Sequence, residues 1–143
     1  MRFVMIHVNS FSSTITEKGR SKVVEPPDPR ETRVEEAIVV LLSVEAGDEE
    51  NPDGVAEEAA SEMEKNAHNL KVKTIVLHPF AHLFARLGPP ESAPGIMDRV
   101  KEILRGKGFE VIRTPFGWFN TLQIDAKGHP YSRVARIVGG QNR

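Results

Sequence analysis

Residues 37–44, AIVVLLSV, are almost continuously apolar, and this stretch decides the fold class. Its length and its β-branched side chains favour a buried central strand, although a buried helix has a similar pattern. The preceding residues 30–37, RETRVEEA, either extend this strand or form a short turn. We therefore expect a sheet with residues 37–44 as a central strand.

Two more strands are predicted before this stretch. Residues 2–8 (RFVMIHV) form a short apolar run, and residues 11–17 (FSSTITE) alternate and are rich in β-branched side chains. Residues 18–30 contain Gly19 and three prolines. Because proline has no amide donor and a fixed φ, we expect an exposed loop there.

Two amphipathic helices are predicted after it, at residues 51–70 and 94–105. Asn51 is suited to cap the first helix, and Pro52 to its first turn. Further strands are predicted at residues 73–78, 109–113 and 118–124, and residues 131–138 form either a helix or a strand. The chain of 143 residues has the size of one domain. We predict a single α/β domain over residues 1–143, with a largely antiparallel sheet or barrel and helices packed on one side.

Composition excludes several classes of protein. The chain has no cysteine, which excludes disulfides and thiol chemistry and fits a cytoplasmic protein. No window holds the ~18 apolar residues of a membrane span, so no membrane partner is expected. The net charge of −1 argues against bulk attraction to nucleic acid. The charge is uneven, since residues 45–65 carry nine acids and one base, whereas residues 99–143 carry nine bases and three acids. This pattern fits a basic face beside an acidic one, or simply two solvated surfaces.

The chain lacks the common catalytic and nucleotide-binding motifs G-x-S-x-G, P-loop and G-x-G-x-x-G. His78 and His82 have the i,i+4 spacing that puts two zinc ligands on one helix face. However, Pro79 disfavours helical geometry for His78. We therefore expect no metal site and no cofactor.

Two loops are the best candidates for a functional site. HPFAHL, residues 78–83, follows a strand, and α/β proteins often bind ligands at strand ends. TPFGWFN, residues 114–120, holds three of the nine aromatic residues within four positions, a pattern that can form a platform for a nucleobase. Each loop also fits a structural role, the first as a tight turn and the second as the start of an apolar strand.

These two loops occur with MRFVMIH at the start, VEEAIVVLLSVE around the central strand and KGHP at residues 127–130. In order and spacing, over essentially the whole chain, the sequence resembles the N-terminal editing domain of archaeal threonyl-tRNA synthetases. The resemblance implies a D-aminoacyl-tRNA deacylase-like fold and a homodimer. It also implies hydrolysis of L-seryl-tRNA(Thr), the mischarged product, with threonyl-tRNA(Thr) spared.

The resemblance places the pocket at the strand end before PFAH, at PFG and at the strand that ends in SVE. By matching position, the implied substrate-binding residues are Val44, Glu45, Pro79, Phe80, Ala81, His82, Phe116, Gly117, Phe119 and Asn120. His82 and Asn120 are the candidate catalytic residues, with positioning roles. Lys127, Arg133 and Arg136 are candidate contacts to phosphates of the tRNA acceptor end.

Two positions depart from the family pattern. Family members commonly have Tyr-Lys where this chain has Phe119-Asn120, and a glutamate where it has Arg133. Either activity is impaired without this Lys/Glu pair, or neither side chain is essential. We expect activity to be retained. The 2′-OH of the terminal ribose lies beside the ester and can orient or activate a water, while backbone N–H groups stabilise the oxyanion.

Two other functions stay open on the sequence. A D-aminoacyl-tRNA deacylase of related fold would remove several D-amino acids, whereas the editing domain removes L-serine. A non-catalytic module would bind the aminoacylated 3′ end of tRNA without turnover. The sequence also leaves open whether the domain edits beside a synthetase catalytic domain in cis or acts in trans.

Overall fold

A computed structural model describes residues 1–81 and 86–139, and within these ranges it contains seven strands and two α-helices. Both predicted helices are present, and the segment 131–138 contains a strand. In chain order the elements are β1 (Arg2–Lys18), β2 (Glu31–Val34), β3 (Ala37–Ser43), α1 (Pro52–Leu70), β4 (Thr74–Pro79), α2 (Ala93–Gly106), β5 (Glu110–Arg113), β6 (Trp118–Ala126) and β7 (Arg133–Ile137).

Strand β1 is one continuous strand of 17 residues, so the prediction of separate strands at residues 2–8 and 11–17 is wrong. Its pairing with β6 shifts register between Val8 and Ser10, an irregularity of the bulge type that bends a strand without ending it. One edge of β1 pairs with β3 and then β2, and the other edge pairs with β7 and then β6. β1 therefore connects both halves of a curled sheet.

The sheet is mixed but mostly antiparallel, as predicted. β1 is antiparallel to all four of its partners, whereas β3, β4 and β5 are parallel neighbours. The parallel strands are joined by α1 and α2, because a parallel connection needs a crossover. The carboxyl ends of β3 and β4 consequently lie at the same edge of the sheet.

The core has two parts, one on each face of the sheet. Both helices cover one face, where Met63 of α1 and Met97 of α2 are buried with Phe3, Leu42 and Leu77. A side chain of this size contributes about 1.5–3 kcal/mol when it is fully buried. The opposite face is covered by the curled half of the sheet, whose contributions include Phe11, Leu122 and Ile124.

Helix α1 begins as its sequence predicts. The Asn51 side chain accepts a hydrogen bond of 3.2 Å from the Gly54 N–H, and Pro52 is the first helical residue. In the described part of the chain, neither helix has the length and apolar character needed to cross a membrane.

Candidate functional site

A cavity of about 400 Å³ opens at the carboxyl ends of β3 and β4. Its walls come from these strand ends, from the start of α2 and from the segments that follow β4 and β5. Ten of its thirteen lining residues are apolar, apart from two serines and one glycine. They are Ser21, Leu42, Ser43, Val44, Pro79, Phe80, Ala81, Leu87, Gly88, Pro90, Ala93, Met97 and Phe116.

The structure brings five of the predicted site residues together around this cavity: Val44, Pro79, Phe80, Ala81 and Phe116. Backbone hydrogen bonds hold the wall. The Phe80 N–H donates to the Leu42 carbonyl at 2.8 Å, and the Gly88 N–H donates to the Val44 carbonyl at 3.0 Å. The chain segments on both sides of the cavity are therefore tied to the end of β3.

The other predicted site residues do not line this cavity. Glu45 is buried beside it, where its carboxylate accepts from Arg2 Nε at 2.8 Å and its N–H donates to Asp48 at 2.8 Å. Phe119 and Asn120 point to opposite faces of β6, because side chains alternate along a strand. Phe119 is 44% exposed, whereas Asn120 faces inward. His82 lies outside the described residues.

Gly117 supports the cavity through the backbone. Its φ of 97° lies in the left-handed region that favours glycine, and an added Cβ would be 2.8 Å from the Val23 carbonyl oxygen. The Phe116-Gly117 turn thus packs directly on the loop that precedes β2. This loop is less exposed than residues 18–30 were predicted to be.

Glu25 fastens this loop to the turn. Its carboxylate accepts from the Phe116 N–H at 2.8 Å and pairs with the buried Arg113, while its carbonyl accepts from Trp118 Nε1 at 2.7 Å. Burial raises the pKa of Glu25, but the hydrogen bonds from Arg113 and the Phe116 N–H outweigh burial and hold the pKa below its ordinary value. Glu25 is therefore an ionised anchor for the aromatic turn.

A second polar group, formed by His78, Thr114 and Asn120, lies on the sheet face opposite the helices. His78 Nδ1 is 2.7 Å from Thr114 Oγ1, and the Phe11 ring packs edge-on against the imidazole. Burial lowers the pKa of His78 to about 4, and the Asn120 side chain opposes this shift. His78 is therefore neutral at physiological pH. In the sequence, His78 is a candidate metal ligand and the first residue of the candidate loop 78–83, and a polar residue that ends the apolar run TIVLH also indicates a buried polar group.

Three buried polar atoms have no hydrogen-bond partner within residues 1–81 and 86–139. They are Ser43 Oγ, Glu45 Oε2 and His78 Nε2. Two of these residues belong to the ends of β3 and β4, and Glu45 follows β3 closely. Buried polar atoms are normally satisfied, so each unsatisfied one is a point where a polar ligand or water can complete the bonding.

The predicted tRNA contacts lie on β7 and just after β6, on the opposite edge of β1 from β3. Lys127 is bound to Glu36 at 2.9 Å and to Asn9 at 2.8 Å, and Arg136 pairs with Glu62 at 3.3 Å. Arg133 is exposed. Because Arg133 and Arg136 are three residues apart on β7, they point to opposite faces. They do not form one phosphate-binding surface within a single chain.

Potential metal ligands are dispersed over the described residues, which contain no group of three or more His, Cys, Asp or Glu side chains suited to a metal ion. The cavity itself is lined by apolar side chains, two serines and one glycine.

Comparison with known proteins defines the class first. The structure of the c-Myc DNA unwinding element binding protein is similar over 98% of this chain and 100% of that chain, with a TM-score of 0.69 and 16% identity. This likeness shows the fold alone, and the fold is a D-aminoacyl-tRNA deacylase-like α/β domain, as predicted. Residues 1–138 match the family described as the archaea-specific editing domain of threonyl-tRNA synthetase, and the chain belongs to that family.

Similar regions within longer threonine–tRNA ligases support this assignment. Threonine–tRNA ligase of Methanopyrus kandleri is 40% identical over 138 residues, and that of Methanocaldococcus jannaschii is 37% identical over 138 residues. The enzyme of Thermococcus kodakarensis is 36% identical over 139 residues. Each match covers 96% of this chain but 22% of the relative, so the chain spans about a fifth of their length. The predicted resemblance is confirmed.

Proposed function

We propose that this chain hydrolyses L-seryl-tRNA(Thr) and spares threonyl-tRNA(Thr). Membership of the editing-domain family supports a role in tRNA proofreading in general. The observation that carries the specific proposal is the cavity of about 400 Å³ at the ends of β3 and β4, with largely apolar walls. Such a cavity is suited to hold an aminoacyl group at the end of a tRNA.

Discrimination between serine and threonine needs an editing site in addition to the aminoacylation site, because the two amino acids differ by only one methyl group. An aminoacylation site sized for threonine cannot strongly reject serine, since a missing methylene changes the binding free energy by only about 1–3 kcal/mol. An editing site that admits serine and clashes with the threonine methyl multiplies the selectivity. The cavity wall is suited to this role, because Pro79 restricts the backbone and Glu25 fastens the Phe116 turn.

The proposed reaction is ester hydrolysis assisted by the RNA. Water adds to the ester carbonyl, the bond to the ribose 3′ oxygen breaks, and this oxygen leaves with a proton. The 2′-OH orients or activates the water, and backbone N–H groups stabilise the oxyanion. Asn120 bonds the ribose or the water, and His82 positions the seryl group. Phe80 and Phe116 pack on the terminal adenosine.

The decisive experiment compares release of serine and threonine from tRNA(Thr) in the presence of a chelator. Release of serine with threonine spared is expected. Asn120→Ala is expected to reduce the rate only mildly, because the RNA hydroxyl carries the chemistry. Cleavage of several D-aminoacyl esters without cleavage of L-seryl-tRNA would identify a D-aminoacyl-tRNA deacylase. Binding of a seryl-adenosine analogue without turnover would identify a binding module.

We further propose a homodimer that works in the cytoplasm, in cis or in trans to a synthetase catalytic domain. Support for the catalytic partner comes from the relatives, in which the matched region is part of a longer ligase. The mass of the purified chain in solution, measured by light scattering, tests the dimer.

A further inference from the structure

Ser43 occupies a special place in the cavity. It is the last residue of β3 and is 96% buried, and it is one of the residues that line the cavity. Every other residue of β3 is apolar. No role is predicted for Ser43 from the sequence, because a single serine at the end of an apolar strand is usually tolerated as a small residue.

The Ser43 hydroxyl is costly to the folded chain as it stands. Its oxygen is buried and has no hydrogen-bond partner among the described residues, so it lost its bonds to water without replacement. The matched case is Ser132, which is equally buried but whose hydroxyl donates to the His129 carbonyl at 2.7 Å. The Ser132 hydroxyl therefore makes a hydrogen bond within the fold, whereas the Ser43 hydroxyl makes none with the described residues.

Exclusion of larger amino acids by size is not enough to select serine. A cavity that excludes the threonine methyl still admits glycine and alanine, which are smaller than serine. Apolar walls do not distinguish these amino acids from serine, but a hydrogen-bonding group does, because the analogue that lacks the hydroxyl leaves it unpaired. Ser43 and Ser21 bear the only hydroxyls among the lining residues described, and the Ser43 oxygen is the buried, unsatisfied one.

We propose that Ser43 Oγ hydrogen-bonds the side-chain hydroxyl of the aminoacyl group, and that it selects serine against amino acids without a hydroxyl. This inference rests on the proposed function, because it concerns the same cavity and the same ester. Size excludes threonine, and Ser43 excludes alanine and glycine. The two filters act on different atoms of the substrate and are separable by mutation.

The test uses the whole chain and tRNA(Thr) acylated with L-serine or with L-alanine. Wild type is expected to prefer the seryl ester. Ser43→Ala is expected to lower kcat/KM for the seryl ester about tenfold and to leave the alanyl ester unchanged, because one neutral hydrogen bond is lost. Its Tm is expected to equal or exceed that of wild type, because an unsatisfied buried oxygen is removed.

Ser132→Ala is the matched control. It removes a satisfied buried hydroxyl, so it is expected to lower Tm and to keep the wild-type ratio of seryl to alanyl cleavage. A Ser43→Ala protein with the wild-type ratio would overturn this inference while leaving the proposed function intact. So would a marked loss of Tm in Ser43→Ala, because the hydroxyl would then be part of the fold. If wild type neither cleaves the seryl ester nor binds its non-hydrolysable analogue, the proposed function and this inference both fail.

Discussion

His78→Gln is expected to reduce the sensitivity of the fold to acid. Burial lowers the pKa of His78 from 6.5 to about 4 in the folded chain. In the unfolded chain the imidazole regains its ordinary value, so the unfolded chain binds a proton first as the pH falls. The stability that depends on this group is therefore complete above about pH 6.5 and is lost between about pH 6.5 and about pH 4. Glutamine does not titrate and lacks this dependence.

The magnitude follows from the two pKa values. The full difference corresponds to about 3 kcal/mol, and roughly 2 kcal/mol of it falls between about pH 7 and about pH 4.5. Burial lowers the pKa of His7 as well, so wild type also loses stability in this range for a second reason. Comparing each protein with itself at the two pH values, and then the variant with wild type, isolates the part due to His78.

The assay is urea unfolding followed by the fluorescence of Trp118 at about pH 7 and about pH 4.5. Wild type should lose roughly 2 kcal/mol more than His78→Gln over this interval. His68→Gln is the control, because this imidazole on α1 is 66% exposed, and it should behave as wild type. If His78→Gln loses as much stability as wild type, His78 is protonated inside the fold and the reasoning is refuted.

Two further predictions concern the turn beside the cavity. Gly117→Ala should lower the free energy of unfolding by about 1–3 kcal/mol, measured by urea unfolding, since the backbone is left-handed and the new Cβ meets the Val23 carbonyl. Gly128→Ala, whose Cβ would meet no atom within 4 Å, should change it by less than about 0.5 kcal/mol, and an equal loss in both variants would contradict the argument. Arg113→Met should cost about 1–3 kcal/mol and raise the pKa of Glu25, measurable by NMR titration, because it removes the partner of a half-buried carboxylate. Arg33→Met, at an exposed pair, should cost less than about 1 kcal/mol, and an unmoved Glu25 pKa in Arg113→Met would show that Arg113 does not hold this carboxylate.

Local patterns predict the helices and most strands of this chain because local chemistry determines them. Asn51 and Pro52 place the start of α1, and the β-branched run places β3 in the middle of the sheet. The continuity of β1 was not predictable in this way. Asn9 and Ser10 have the composition of a turn, and only pairing with β6 across the register shift keeps them in the strand. Long-range pairing therefore overrides the local signal.

The site was partly predictable for a related reason. Motif resemblance identified five residues that line the cavity, because they lie at strand ends that follow directly from the predicted elements. It assigned Phe119 and Asn120 to the same pocket, although their side chains point to opposite faces of β6. It did not find Ser43 or His78, because a missing hydrogen-bond partner is visible only once the neighbouring elements are in place.

The register of β1 bears on the absent charge pair. Asn120 pairs with Ile15 and Arg133 pairs with Ile6, so positions 120 and 133 lie nine residues apart along the same edge of β1. Nine residues of strand span roughly 30 Å of chain. A lysine and a glutamate at these positions would not be cross-strand neighbours within one chain, and Asn120 and Arg133 therefore break no such contact here. An asparagine in place of lysine at position 120 affects only the side chains around it. The polar side chains grouped with it, His78 and Thr114, are uncharged at neutral pH. This part of the site offers hydrogen bonds rather than fixed charges, which is sufficient for the hydrolysis that we propose, in which the 2′-OH of the substrate assists.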